Sequence, residues 1–179
     1  MIKDDAFSDD YTNLSAVQIG CSVGGRAFKN CSNLKSITFT GNSVYNIWGE
    51  AFMNCSSLKK IEFPSTVKII RENVCRGCTE LTSILLGNEV NTISSGAFYN
   101  CTGLLEPIII PYNVLEISQS AFGNISLTNG IIFKNRYTSD IITDFDNYPF
   151  GVNSDIASNV IKGELGDIRP TEVEEEPTT

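Results

Sequence analysis

The sequence predicts a repeat solenoid: a right-handed coil with a parallel β-sheet on one side, short helical turns on the other, and a non-repeating C-terminal cap. Three observations predict it. Ala-Phe pairs recur at Ala6-Phe7, Ala27-Phe28, Ala51-Phe52, Ala97-Phe98 and Ala121-Phe122, and Val74-Cys75 replaces the pair in one unit. The spacings are 21, 24, 23, 23 and 24 residues, and a period in the twenties marks stacked supersecondary units. Further columns then keep step with the pairs.

Four residues after each alanine stands cysteine: Cys31, Cys55, Cys78 and Cys101, with Ile125 in the last unit. Leucine follows three residues later at Leu34, Leu58, Leu81 and Leu104. A strand pattern comes next: Ile37-Thr-Phe39, Ile61-Glu-Phe63, Ile84-Leu-Leu86, Ile108-Ile-Ile110 and Ile131-Ile-Phe133. The coil closes on Val44/Ile47, Val67/Ile70, Val90/Ile93 and Val114/Ile117. Period-two alternation makes each I-x-F segment a strand with one buried face. No unit can bury its own apolar face, so neighbours must supply the stability. The Ala-Phe-x-Asn-Cys stretch is expected as a turn of helix on the opposite side, with a small buried cysteine where the next coil passes.

The combined pattern, A-F-x-N-C-x-x-L-x-x-I-x-F-x-x-x-V-x-x-I, resembles the leucine-rich repeats of treponemal and BspA-type surface proteins. The resemblance covers about residues 2–135, or about five units. It implies a non-catalytic module that binds a protein or a glycan, adhesin-like, on its sheet face. The asparagine column at Asn30, Asn54, Asn100 and Asn124 fits, with Gly77 the exception. The first unit departs: Asn13-Leu14 falls one place late and Cys21-Ser-Val-Gly-Gly replaces Val-x-x-Ile, so a distorted turn is expected there.

Three regions are expected. Residues 1–135 form the solenoid, whose degenerate first unit opens mid-repeat because Ile2 stands four places before Ala6. That opening suits either a piece of a longer protein or an end that a partner covers. Residues 136–168 follow no repeat but keep enough apolar side chains for a cap. Residues 169–179, RPTEVEEEPTT, read as a solvated acidic tail.

Charge and composition exclude several functions. Apolar residues are 41% and net charge is -8. Residues 1–135 hold ten Lys/Arg against eleven Asp/Glu, and residues 136–179 hold three against ten. Neither part offers the basic stripe that a phosphate backbone needs, so no nucleic-acid partner is expected. No stretch reaches the roughly 20 apolar residues of a membrane span, so no membrane insertion is expected. The first twenty residues lack the basic start and apolar run of a secretory signal. The location therefore reads as cytoplasmic, virion-associated, or that of a fragment of a surface protein. There is no histidine, which removes His triads, His bases and His metal ligands together.

No enzyme is expected, no catalytic residue is assigned, and no metal or cofactor is called for. Cys75-Arg-Gly-Cys78 is a C-x-x-C, but its cysteines sit in the phenylalanine and cysteine columns, and zinc would need two more ligands. A thiol-redox reading survives only if those thiols react fast in the native protein. The cysteine column reads as reduced buried thiols. Asn-x-Ser/Thr at Asn13, Asn30, Asn54, Asn100 and Asn124 arises mostly because the repeat spells Asn-Cys-Ser/Thr, and turn bonding is the expected role. Asp140, Asp144 and Asp146 lack the glycine and closing glutamate of a calcium loop. Asp4/Asp5 sit in a terminal segment.

The candidate binding residues are those between the inward strand positions: Thr38, Glu62, Leu85, Ile109 and Ile132. The row passes from polar to apolar. An exposed apolar row marks a contact surface, unless the cap folds back over it. Lys35, Lys59 and Lys60 flank the polar end and face an acidic partner, the acidic tail or solvent. The partner is a protein or further copies of this chain, or a glycan. The alternative function is a structural component of a larger assembly, such as a virion or appendage protein.

Overall fold

The computed structural model describes residues 1–9, 13–118, 120–125 and 131–133, with backbone only at the last three. The cap at 136–168 and the tail at 169–179 lie outside the described residues. The architecture is a parallel β-solenoid. Among the described residues nine short strands follow one another: β1 (Ala16–Ile19), β2 (Ser36–Phe39), β3 (Lys60–Glu62), β4 (Ile69–Ile70), β5 (Ser83–Leu85), β6 (Thr92–Ile93), β7 (Ile108–Ile110), β8 (Glu116–Ile117) and β9 (Ile131–Phe133). The main sheet has order β1-β2-β3-β5, a second has β4-β6-β8, and β7 pairs with β9. Every pairing is parallel.

The columns of the sequence become columns of the core. Ala27, Ala51 and Ala97, Leu34, Leu58 and Leu81, and Ile61, Val67 and Ile93 are all buried. The phenylalanines stack ring on ring: Phe7 on Phe28 at 5.1 Å, Phe28 on Phe52 at 5.4 Å and Phe98 on Phe122 at 5.3 Å. Cys75 interrupts the column. Edge-on contacts from Phe39 to Phe52 and from Phe63 to Phe98 pack the two stacks against the strand side.

The expected helical turn takes the form of consecutive tight turns. Amides bond three residues back, as in Cys31 to Phe28 and Leu34 to Cys31. The reason is inter-coil bonding. The amides of Arg26, Phe28 and Asn30 donate to Gly49, Ala51 and Met53 of the next coil, so alternate amides leave the coil and an α-helical ladder cannot form. Two residues per coil adopt left-handed φ to aim those amides: Arg26 and Asn30, Glu50 and Asn54, Asn73 and Gly77, Gly96 and Asn100, Ser120 and Asn124. This accounts for the asparagine column and for its exception together. Left-handed φ costs least for glycine and then for asparagine, and the column contains only these two from Asn30 onward. The side chains add a ladder: Asn54 donates to Asn30 at 2.8 Å, Asn124 to Asn100 at 2.6 Å, and Asn30 to Asp9.

Replacing Asn54 by valine should therefore cost about 2 kcal/mol, because a β-branched side chain is forced to positive φ and the bond to Asn30 is lost. Gly77→Asn should be tolerated within about 1 kcal/mol. Its φ of 76° suits asparagine, and the atom its Cβ would crowd is the Oδ1 of Asn54, the end of a side chain that can shift. Urea denaturation of both variants checks the pair.

The first unit is distorted as expected, and in a definable way. Val23 takes the isoleucine position, bridging Ile2 and Ile47. Its turn is shorter than those of later coils, and the Ser22 hydroxyl accepts the amides of Tyr45 and Asn46 in the neighbouring turn. This unit also holds a strand that the repeat pattern overlooked: Val17 and Ile19 pair with Ile37 and Phe39.

Candidate functional site

Three members of the row, Thr38, Glu62 and Leu85, lie on the main sheet. Gln18 pairs with Thr38, the Ser36–Lys60 register carries Thr38 opposite Glu62, and Glu62 pairs with Leu85. Gln18 extends the row by one position; its signal was the alternation of Val17 and Ile19. The remaining two members, Ile109 and Ile132, pair with each other in the separate two-stranded sheet. The bonding stops between β5 and β7 for a local reason. The leucine-to-strand spacing is one residue longer at Leu104–Ile108 than at Leu34–Ile37, Leu58–Ile61 and Leu81–Ile84, and the residue before β7 is Pro107, which has no amide to donate.

Thr38 and Glu62 are exposed. Leu85 is 43% and Ile109 38% exposed. The side chain of Ile132 lies outside the described residues. A groove of about 650 Å³ runs along this face. Thr38, Glu62 and Leu85 form its floor, and the turns at Gly41-Asn42, Pro64-Ser65 and Gly87-Asn88 form one wall. Gly87 must lack a side chain there, because a Cβ would stand 2.6 Å from the carbonyl oxygen of Pro64.

On the strand-entry side, Lys59 meets Glu80 at 2.5 Å and Lys60 meets Glu62 at 4.0 Å. The hydrogen bond from Lys59 holds the Glu80 carboxyl below the usual carboxylate range. The acidic pair near the N-terminus is engaged in coil-to-coil contacts. Asp4 accepts the Gly25 amide at 2.8 Å. Asp5 forms a two-pronged pair with Arg26, whose hydrogen bonds depress the Asp5 carboxyl.

The cysteine column is a thiol ladder. Cys31, Cys55, Cys78 and Cys101 donate to the carbonyls of Phe7, Phe28, Phe52 and Cys75 in the preceding coil, at 3.1–3.2 Å. All six cysteines are free thiols. Burial pushes the thiols of Cys31, Cys55, Cys75 and Cys101 up, and the last three strongly. A nucleophilic cysteine needs the opposite shift. Because the other five cysteines are buried, iodoacetamide should label partly exposed Cys21 first in the native protein, with the others reacting after denaturation. Rapid native labelling of Cys75 or Cys78 would restore the redox reading. Among the described residues no cluster of His, Cys, Asp or Glu could hold a metal ion, and no helix is long and apolar enough to cross a membrane. Asp140, Asp144 and Asp146 lie outside the described residues.

Comparison with known proteins agrees with this geometry. The model of the BspA type leucine rich repeat region matches residues 1–129 in six copies. The chain belongs to the BspA-type leucine-rich repeat family. Its solenoid is similar to the crystal structure of the Treponema pallidum leucine-rich repeat protein, with 26% identity and a TM-score of 0.64 over 74% of this chain. It is also similar to a leucine-rich repeat protein from Eubacterium ventriosum, with 26% identity and a TM-score of 0.63 over 76% of this chain. The chain spans 65% of the first protein and 35% of the second. No curated protein matches it. Leucine-rich repeat proteins generally mediate protein interactions, and their solenoids are typically non-catalytic binding modules.

Proposed function

We propose that this BspA-type chain is a non-catalytic, adhesin-like module that recognises a protein across the outward row Gln18, Thr38, Glu62, Leu85, Ile109 and Ile132. One observation carries the reading: Leu85 and Ile109, on successive coils, keep 43% and 38% of their surface open, and Leu85 lines the groove. Exposed aliphatic side chains on neighbouring strands contribute to the kind of contiguous apolar patch that marks a contact surface. The row carries no aromatic ring on which a sugar would stack, which favours a protein over a glycan. A structural role in an assembly is the second reading, and the same apolar row favours it, with another copy of the chain as the partner.

A photoreactive amino acid placed at Leu85 or Ile109, and separately at Lys68 on the second sheet's side, tests the proposal in cells that naturally make the protein. Cross-linked products are expected from Leu85 and Ile109 and not from Lys68. The reverse pattern would sink the reading. Products that consist of this chain alone would establish the assembly reading.

A further inference from the structure

The face of the sheet carries two chemistries on neighbouring coils. The residues that enter the strands stack in register: the Lys59 amide bonds the Lys35 carbonyl at 3.3 Å and the Thr82 amide bonds the Lys59 carbonyl at 2.9 Å. Lys35 and Lys59 thus sit one above the other, about 4.8 Å apart in backbone spacing. Lys60 adjoins them in β3, in register with Ser36 and Ser83. Three ammonium groups are gathered on two coils. Glu80 and Glu62 answer two of them, the second only at 4.0 Å, while Lys35 makes no salt bridge among the described residues and acts on Glu80 only at longer range. One coil further on, the surface turns apolar at Leu85, and on the next at Ile109.

We infer that the partner presents an extended peptide segment in which clustered carboxylates stand a few residues from apolar side chains. This rests on the reading of the sheet face as the recognition surface. Charge complementarity sets one end of the segment: like charges held together by the fold are relieved by an anionic partner. The aliphatic pair sets the other end. Geometry sets the spacing. Coils repeat about every 4.8 Å and an extended chain rises about 3.3 Å per residue. Lys60 stands opposite Ser83 and Glu62 opposite Leu85, so a segment crossing the sheet diagonally reaches from Lys60 to Leu85 or Ile109 in roughly two to four residues. A polyanion is disfavoured because Glu62 and Glu80 interrupt the basic surface and residues 1–135 carry eleven acidic against ten basic residues.

The test is fluorescence anisotropy of the full chain with a labelled Leu-Ser-Leu-Ser-Glu-Glu-Glu peptide and its counterpart ending in three glutamines. The acidic peptide should bind about tenfold tighter, an advantage that salt erodes. A Lys35→Glu/Lys60→Glu variant, its fold checked by circular dichroism, should lose that advantage yet bind the glutamine peptide as before. Ile109→Lys should weaken both. Equal binding of the two peptides, an advantage that survives charge reversal, or no binding of the acidic peptide would overturn the inference. In each case the photo-crosslinking result at Leu85 and Ile109 decides separately whether the sheet-face reading stands. A carbodiimide cross-link within one chain, joining Lys35, Lys59 or Lys60 to Glu172–Glu176, would assign the surface to the chain's own acidic end and overturn it as well.

Discussion

Phe98→Ala should destabilise the protein by about 3–5 kcal/mol, the usual range for a phenylalanine truncated in a close-packed core. Phe98 is fully buried. It stacks on Phe122 at 5.3 Å and receives the edge of Phe63 at 6.1 Å. The preceding coil offers Cys75 in place of a ring, so no second stack backs Phe98 on that side. Its removal should also weaken coupling between coils, because each repeat is held chiefly by its neighbours. A urea titration should show a lower midpoint and a broader transition than wild type. An equal truncation at half-buried Phe7, which stacks on Phe28, should cost less.

Stability should fall steeply in alkali, by roughly 4 kcal/mol per pH unit once the pH exceeds the ordinary thiol range near about 8.5. Burial raises the thiols of Cys55, Cys75 and Cys101 in the folded state. Below the unfolded pKa both states hold the proton and stability is unaffected by these groups. Above it the unfolded thiols ionise while the folded ones stay protonated. The folded state then binds more protons, and rising pH favours unfolding by about 1.4 kcal/mol per unit for each thiol. Urea midpoints measured at successive pH values check the slope. Replacing Cys101 by alanine should flatten it by about a third. A slope that the substitution leaves unchanged would mean that other groups cause the alkaline loss.

The repeat was legible because each column answers one packing demand. A fixed register of Ala, Phe, Cys, Leu and Ile leaves little choice but coils of equal length with those side chains inside. Three features were harder to read. The turn opposite the sheet was expected to be helical, but periodicity cannot show that alternate amides bond across coils. The left-handed φ at Asn30, Asn54 and Gly77 is the cause of the asparagine column, and Gly77 looked like an exception until conformation rather than side-chain bonding explained it. Strand β1 (Ala16–Ile19) was hidden because the first unit's turn is short, which displaces the closing valine to Val23. The candidate row itself followed from alternation alone. Its division between two sheets did not, since that depends on the extra residue and Pro107 before β7. Nothing in a single sequence ranks one outward residue above another for binding, because exposure is shared by every polar residue on the coil.

The most direct test of the account is the stability and partner contact of Ile109→Lys, measured together. If the row is an open recognition surface, the variant should unfold within about 0.5 kcal/mol of wild type, as substitutions at exposed sites do, while cross-linking from Leu85 disappears. A variant that instead unfolds, or that keeps its cross-links at Leu85, would contradict the account. The first result would place Ile109 inside the core, and the second would leave the sheet face without a role in binding.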